Sequence, residues 1–211
     1  MLIYGALLSP FVRKVCIVAA EKGIAWELKL TSPGSSDPDF VAASPFGKIP
    51  AIRDGDFTLA DSSAIVAYLE AKHPAPPVLP ADPQARGKAV WFDEFADTIL
   101  SASGLKVLFH RLVGPIILKI GGNEAIAAQG EAELPALYSY LEGVCPADAW
   151  LAGAEFGLAD IAVASVLRTM AYVDQFPPPD RYPAITAWYA RVRERPAWQQ
   201  VAAQEDAPRA R

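Results

Sequence analysis

Three short segments hold side chains whose types and spacing could do chemistry. The first is Ser9-Pro10-Phe11-Val12-Arg13-Lys14-Val15, directly after the apolar run Leu2 to Gly5. A hydroxyl at the start of a helix lies among backbone N–H groups without intrahelical acceptors, and that end of a helix favours an anion. Ser9 as N-cap with Pro10 at the first helical position is equally an ordinary way to begin a helix.

The second segment is Gly47-Lys48-Ile49-Pro50-Ala51-Ile52, where a proline begins an apolar strand after the turn-like Ser44-Pro45-Phe46-Gly47. Proline removes a ladder donor, so the strand lies at an edge or the bond before Pro50 is cis, turning the Ile49 backbone towards solvent. Such a backbone could pair with a peptide-like ligand; the alternative is a plain edge-strand proline with Lys48 as solvated surface. The third is Asp61-Ser62-Ser63-Ala64-Ile65, where side-chain oxygens and free amides converge. It could hold a ligand's carboxylate on the amides and its ammonium on Asp61, or simply cap a helix.

The elements that must position these segments are readable in outline. Leu2 to Gly5, Trp26 to Leu30, Ile49 to Arg53 and Phe57 to Leu59 read as strands, the last two flanking an Asp54-Gly55 turn. Helical spacing covers Phe11 to Lys22, stopped by Gly23, and a helix capped by Asp61 or Ser62 runs to Lys72. The order β-α-β-(α)-β-β-α suits a small α/β sandwich. Lys72 to Gln84 then carries five prolines, too many for helix or central strand, and marks a linker. We therefore divide the chain into an α/β domain over 1–75, a linker over 76–84 and an all-helical domain over 85–211.

In that second domain Ala85 to Leu112, Glu124 to Gly143, Ala159 to Tyr172, Ile185 to Glu194 and a short piece at Trp198 fit helical periodicity. Gly114-Pro115 and Gly121-Gly122 punctuate the first two helices. Pro135 should kink the second or mark a later start, and the tail from Ala202 should fray.

Composition narrows the function. The 211 residues are 52% hydrophobic and 20% charged with net charge −5, which gives no general attraction to nucleic acid or anionic lipid. No apolar run approaches the ~18 residues of a membrane span. The basic residues of the N-terminal stretch follow its apolar ones, the reverse of a secretory signal, so the expected location is cytoplasmic. Two cysteines, Cys16 and Cys145, without a CxxC, and two histidines, His73 and His110, leave too few ligands for a usual zinc site and too few histidines for Ser-His-Asp hydrolysis.

Taken together, SPFVRKVCIVAAEKGI, SPFGKIPAI, DSSAIVAYLE, WLAGAEFGLADIAVAS and PAITAWYARVRERPAW resemble segments of the cytosolic glutathione S-transferase family, and the match covers nearly the whole chain. The first is similar to the serine-type classes, the tau-like and related bacterial ones. The resemblance implies a thioredoxin-like α/β N-terminal domain that binds glutathione, followed by an all-α helical bundle that supplies most of the second-substrate pocket. It implies Ser9 as the catalytic hydroxyl, a cis Pro50, and glutathione contacts from the Ile49 backbone, Lys48, Asp61 and Ser62. Asp61 stands where the family more often has glutamate, and Gly157 replaces a Ser or Thr cap opposite the buried Asp160.

The implied activity is attack of the glutathione thiolate on a small hydrophobic electrophile, with glutathione as co-substrate and no metal. Homodimerisation is implied too. Tyr4 is the rival hydroxyl, read as structural because it sits inside an apolar strand, and Cys16 the rival thiol, read as a small buried side chain. Trp91, Phe92, Phe95, Ile99, Leu108 and Phe109 are candidates for the electrophile pocket, most of them destined for the core; His110 and Arg111 are equally well placed as surface. The alternatives are a non-catalytic binding module with the same fold, or a glutathione-dependent lyase, isomerase or disulfide reductase.

Overall fold

Tyr4, Ala51 and Ala60 stand side by side across three neighbouring strands of one four-stranded sheet. The computed structural model describes residues 1–207. Strands β1 (Leu2–Gly5), β2 (Glu27–Leu30), β3 (Ala51–Asp54) and β4 (Phe57–Ala60) are arranged β2-β1-β3-β4, with β1 parallel to β2 and the other pairs antiparallel. Strand β3 starts at Ala51, later than its apolar run suggested, because Pro50 has no N–H to give a ladder.

Strand alternation sends Ile3 and Ile52 into a fully buried core, and the apolar faces of α1 (Pro10–Glu21) and α3 (Ser62–Lys72) supply Val12, Val15, Ile65 and Leu69. The close approach of α1 requires Gly5, where a Cβ would come within 2.5 Å of Val12. Tyr4 points to the other face and packs with Phe40, Ala43 and Ala51 beneath α2 (Pro38–Ala43).

Among the described residues two compact units form, residues 1–79 together with 193–207, and residues 80–192. Of the tail from Ala202, expected to fray, Ala202 to Asp206 are instead the last part of α9 (Pro196–Asp206), which packs on α1 in the sheet-bearing unit, while 208–211 lie outside the described residues. Buried Ala197, Trp198 and Val201 give it an apolar face.

In the helical unit, Pro83–Leu118 is one continuous helix. It contains α4 (Pro83–Glu94), a π-helical stretch Phe95–Leu100, α5 (Ser101–Leu108) and a second π-helical stretch Phe109–Leu118. Gly114-Pro115 therefore does not end the helix. A π turn shifts the pairing from the fourth to the fifth residue, which relieves the clash of a proline ring with the carbonyl four residues back. The end comes at Lys119, in the left-handed conformation, with Ile120 N–H on Gly114 C=O at 3.0 Å. Although this helix is long and apolar enough to cross a bilayer, Lys106 and Arg111 pair with Glu133, Glu124 and Glu131 of α6, as on a helix packed against another. Helix α6 (Glu124–Val144) starts at its Asn123 cap and carries Pro135 internally, so no later start occurs. Helices α7 (Leu158–Ala171) and α8 (Pro183–Arg193) complete the unit.

Candidate functional site

The sheet register brings the three segments to one end of the sheet. Ser9 follows the C-terminal end of β1, Ile49 precedes the start of antiparallel β3, and Asp61 follows the end of β4. With adjacent strands about 4.8 Å apart, the three segments emerge within roughly two strand spacings of each other.

Ser9 has extended backbone, φ −72° and ψ 125°, and its Oγ accepts the Val12 N–H at 3.4 Å as N-cap of α1. Its N–H donates to Ala6 C=O at 2.9 Å, and its C=O accepts the Arg13 N–H at 3.0 Å. Because a lone pair of Oγ faces the helix amide, the hydroxyl proton is left to donate elsewhere, beside the positive end of the α1 dipole.

The loop before β3 is built by its own side chains. Ser44 Oγ donates to Lys48 C=O at 2.7 Å and accepts Lys48 N–H at 2.9 Å, while Gly47 turns with φ +64°. The Ile49–Pro50 bond is cis. The N–H and C=O of Ile49 enter no hydrogen bond among the described residues, so both are available to a ligand's backbone. The Lys48 side chain is exposed.

Asp61 caps α3 by accepting the Ser63 and Ala64 N–H groups on Oδ1, both at 3.0 Å, from a backbone at φ +79° and ψ 125°. Ser62 is buried immediately behind it. The Lys14 ammonium, buried on α1, donates to Ser63 Oγ at 3.1 Å and ties the first and third segments together. Sequence patterning missed that tie, since a lysine within a helix gives no sign of a partner 49 residues away.

Tyr4 is fully buried 5.9 Å from the Phe40 ring, and its hydroxyl has no hydrogen-bond partner among the described residues. Cys16 is also fully buried, and burial pushes its thiol pKa far up, opposed by the nearby Arg13 charge. Such a thiol stays protonated and unreactive. Of the aromatic and apolar residues on the long helix, Phe92, Phe95 and Leu108 are core, while Trp91, Ile99 and Phe109 keep exposed surface. Trp91 Nε1 donates to Tyr140 Oη at 3.0 Å. His110 Nδ1 accepts the Asn123 N–H at 3.2 Å, and Arg111 is held by Glu124 and Glu131. Among the described residues no group of three His, Cys, Asp or Glu side chains converges as metal ligands would.

Known proteins carry the same sequence pattern. Residues 3–77 match the family profile described as "Glutathione S-transferase, N-terminal domain", and residues 105–196 match "Glutathione S-transferase, C-terminal domain". Glutathione S-transferase 3 of Zea mays is 32% identical over 95% of this chain and 92% of its own length. A glutathione S-transferase of Rhodospirillum rubrum, solved by crystallography, superposes with a TM-score of 0.86 at 26% identity, over 95% of this chain and 90% of that one. A relative of different name, FtsZ-localized protein A of Caulobacter vibrioides, is 26% identical over 93% of this chain and 88% of its own. The chain belongs to the cytosolic glutathione S-transferase family, with its thioredoxin-like α/β part followed by helices.

Proposed function

We propose that the protein is a serine-type glutathione transferase that joins the glutathione sulfur to small hydrophobic electrophiles. The observation that carries this reading is the Ser9 hydroxyl, turned to the Val12 amide by its lone pair and so left to donate its proton at the positive end of α1. Free glutathione has a thiol pKa of about 8.5, so only a few per cent is thiolate at neutral pH. A neutral Ser9 O–H donating to sulfur stabilises the thiolate without losing its own proton; the thiol proton leaves to solvent. The thiolate then forms a bond to the electrophilic carbon, and the leaving group departs with the bonding pair.

The rest of the site orients glutathione. Ile49 N–H and C=O pair with its cysteinyl unit, Ser62 and the positive end of the α3 dipole take the γ-glutamyl carboxylate, Asp61 faces the ammonium, and Lys48 approaches the glycyl carboxylate. On this reading residues 1–75 hold glutathione, 76–84 are linker, and the helical part supplies the second-substrate pocket. The protein acts in the cytoplasm as a homodimer.

The test is calorimetric titration of glutathione into wild type and Ser9→Ala, with conjugation of an aryl halide followed in parallel. Binding by both with turnover only by wild type supports the reading. If wild type does not bind glutathione, the reading fails and a non-catalytic role for the fold takes its place.

A further inference from the structure

We infer that Glu205, near the end of α9, is a positioning residue for Ser9 that acts through Arg13; the inference rests on the glutathione reading of Ser9. Arg13 holds the Ser9 loop on both sides. Its backbone N–H donates to Ser9 C=O at 3.0 Å, and its guanidinium Nη2 donates to Leu7 C=O at 2.7 Å. Movement of that guanidinium therefore moves the segment from which the Ser9 hydroxyl projects.

Glu205 fixes the guanidinium. Its carboxylate takes Arg13 Nε at 3.0 Å and Nη2 through the other oxygen, and the two side chains are only 1% and 5% exposed. The planar fork of arginine, bound bidentately, leaves little rotational freedom. Because the carboxylate neutralises the guanidinium, the pair contributes geometry to the thiolate site, not net positive charge. Without Glu205 the guanidinium loses the bidentate contact that sets its plane, and its hold on Leu7 C=O loosens.

The same two helices supply an internal control. Arg195, at the start of α9, pairs with Glu21, at the end of α1, at 2.7 Å and with side chains 38% and 12% exposed. Helix α9 thus runs antiparallel to α1 with an ion pair at each end, and the Glu205 pair is the one that includes the arginine bonded to Leu7 and Ser9. Docking of α9 and positioning of Ser9 can be separated by substitution.

The experiment compares Glu205→Gln, Arg195→Gln and Ser9→Ala with wild type, reading the pKa of enzyme-bound glutathione by thiolate absorbance, kcat, KM for glutathione, and Tm. Glu205→Gln is expected to raise the bound-thiol pKa and lower kcat about tenfold, with KM changed less than about twofold. Arg195→Gln lowers Tm alone. Should Glu205→Gln fail to fold, the double variant Arg13→Met with Glu205→Met replaces the buried pair by apolar side chains of similar length, a change such sites tolerate, and is expected to show the same thiol pKa and kcat defects. A bound-thiol pKa equal to wild type in either variant, with the Ser9→Ala pKa raised, overturns the role of Glu205 alone. A wild-type pKa in Ser9→Ala overturns the underlying reading of Ser9.

Discussion

Asp160 Oδ1 accepts the Trp188 indole N–H at 2.8 Å, with both residues fully buried. The same carboxylate takes the Leu151 N–H at 3.0 Å and the Gly157 N–H at 3.3 Å, so it ties the loop before α7 to α8. Gly157 has no side chain to return the bond, and the Asp160 N–H reaches only its backbone carbonyl, at 3.1 Å. This is half of a capping box.

Burial pushes the Asp160 pKa up to about 6 from 3.8, against those three donors. A folded pKa above the unfolded one means that this carboxyl's titration contributes stability fully below about pH 4, and that the contribution is lost as pH rises through about 6. Asp160→Asn cannot titrate and turns an amide donor towards one of the N–H groups. We expect it to be less stable than wild type near pH 4, with the gap narrowing by up to about 3 kcal/mol by pH 7. Urea unfolding followed by tryptophan fluorescence measures the gap; one that stays constant or widens with pH contradicts the account.

Asp61 combines a strained backbone with a double cap. A non-glycine residue at φ +79° and ψ 125° costs on the order of 1–3 kcal/mol, offset in part by the two amides its carboxylate takes. Asp61→Ala keeps the strain and loses the cap, whereas Asp61→Gly loses the cap and the strain together. The glycine variant should therefore be the more stable of the two by about 1 kcal/mol in denaturant, and both should raise KM for glutathione with kcat little changed. An alanine variant more stable than the glycine one would show that the conformation is not strained.

Glu70 secures the proline-rich segment that follows α3. The buried Lys22 ammonium pairs with it at 2.6 Å and donates to His73 C=O and Pro76 C=O at 2.7 and 2.9 Å, while the Glu70 carboxylate takes the Val78 and Leu79 amides. Glu70→Gln leaves a buried cation uncompensated and should cost about 3 kcal/mol, with faster hydrogen exchange at Val78 and Leu79. Unchanged exchange at these amides would refute the anchoring role.

Two glycines of α6 should respond in opposite directions. A Cβ on Gly130 would come within 2.4 Å of the Ser103 carbonyl oxygen, so Gly130→Ala must force α5 and α6 apart and cost about 1–3 kcal/mol. Gly143 has nothing within 4 Å, and Gly143→Ala should gain about 0.5–1 kcal/mol from helix propensity. Thermal unfolding of the two variants decides, and equal shifts would contradict the close helix contact.

What could be read from the sequence was local. Ser9-Pro10 and Asp61 announced the starts of α1 and α3 because capping is written in adjacent residues. The course of the helix through Pro115 was not legible, since a π-helical stretch has no composition of its own. Nor was the fate of the tail: α9 is held by Glu205 meeting Arg13, 192 residues earlier, and a single glutamate in a polar tail carries no mark of such a partner. At the site, the residue types were visible, but their gathering at one end of the sheet follows from the Tyr4, Ala51 and Ala60 register, which only strand pairing supplies.

The central claim is that Ser9 stabilises the glutathione thiolate as a neutral hydroxyl donor. Thiolate absorbance of the binary complex, titrated against pH in wild type and Ser9→Ala, tests it most directly. The account predicts a bound-thiol pKa at least about one unit below that of free glutathione in wild type, with most of that shift lost in Ser9→Ala while glutathione remains bound. A bound-thiol pKa that is the same in both proteins would contradict it.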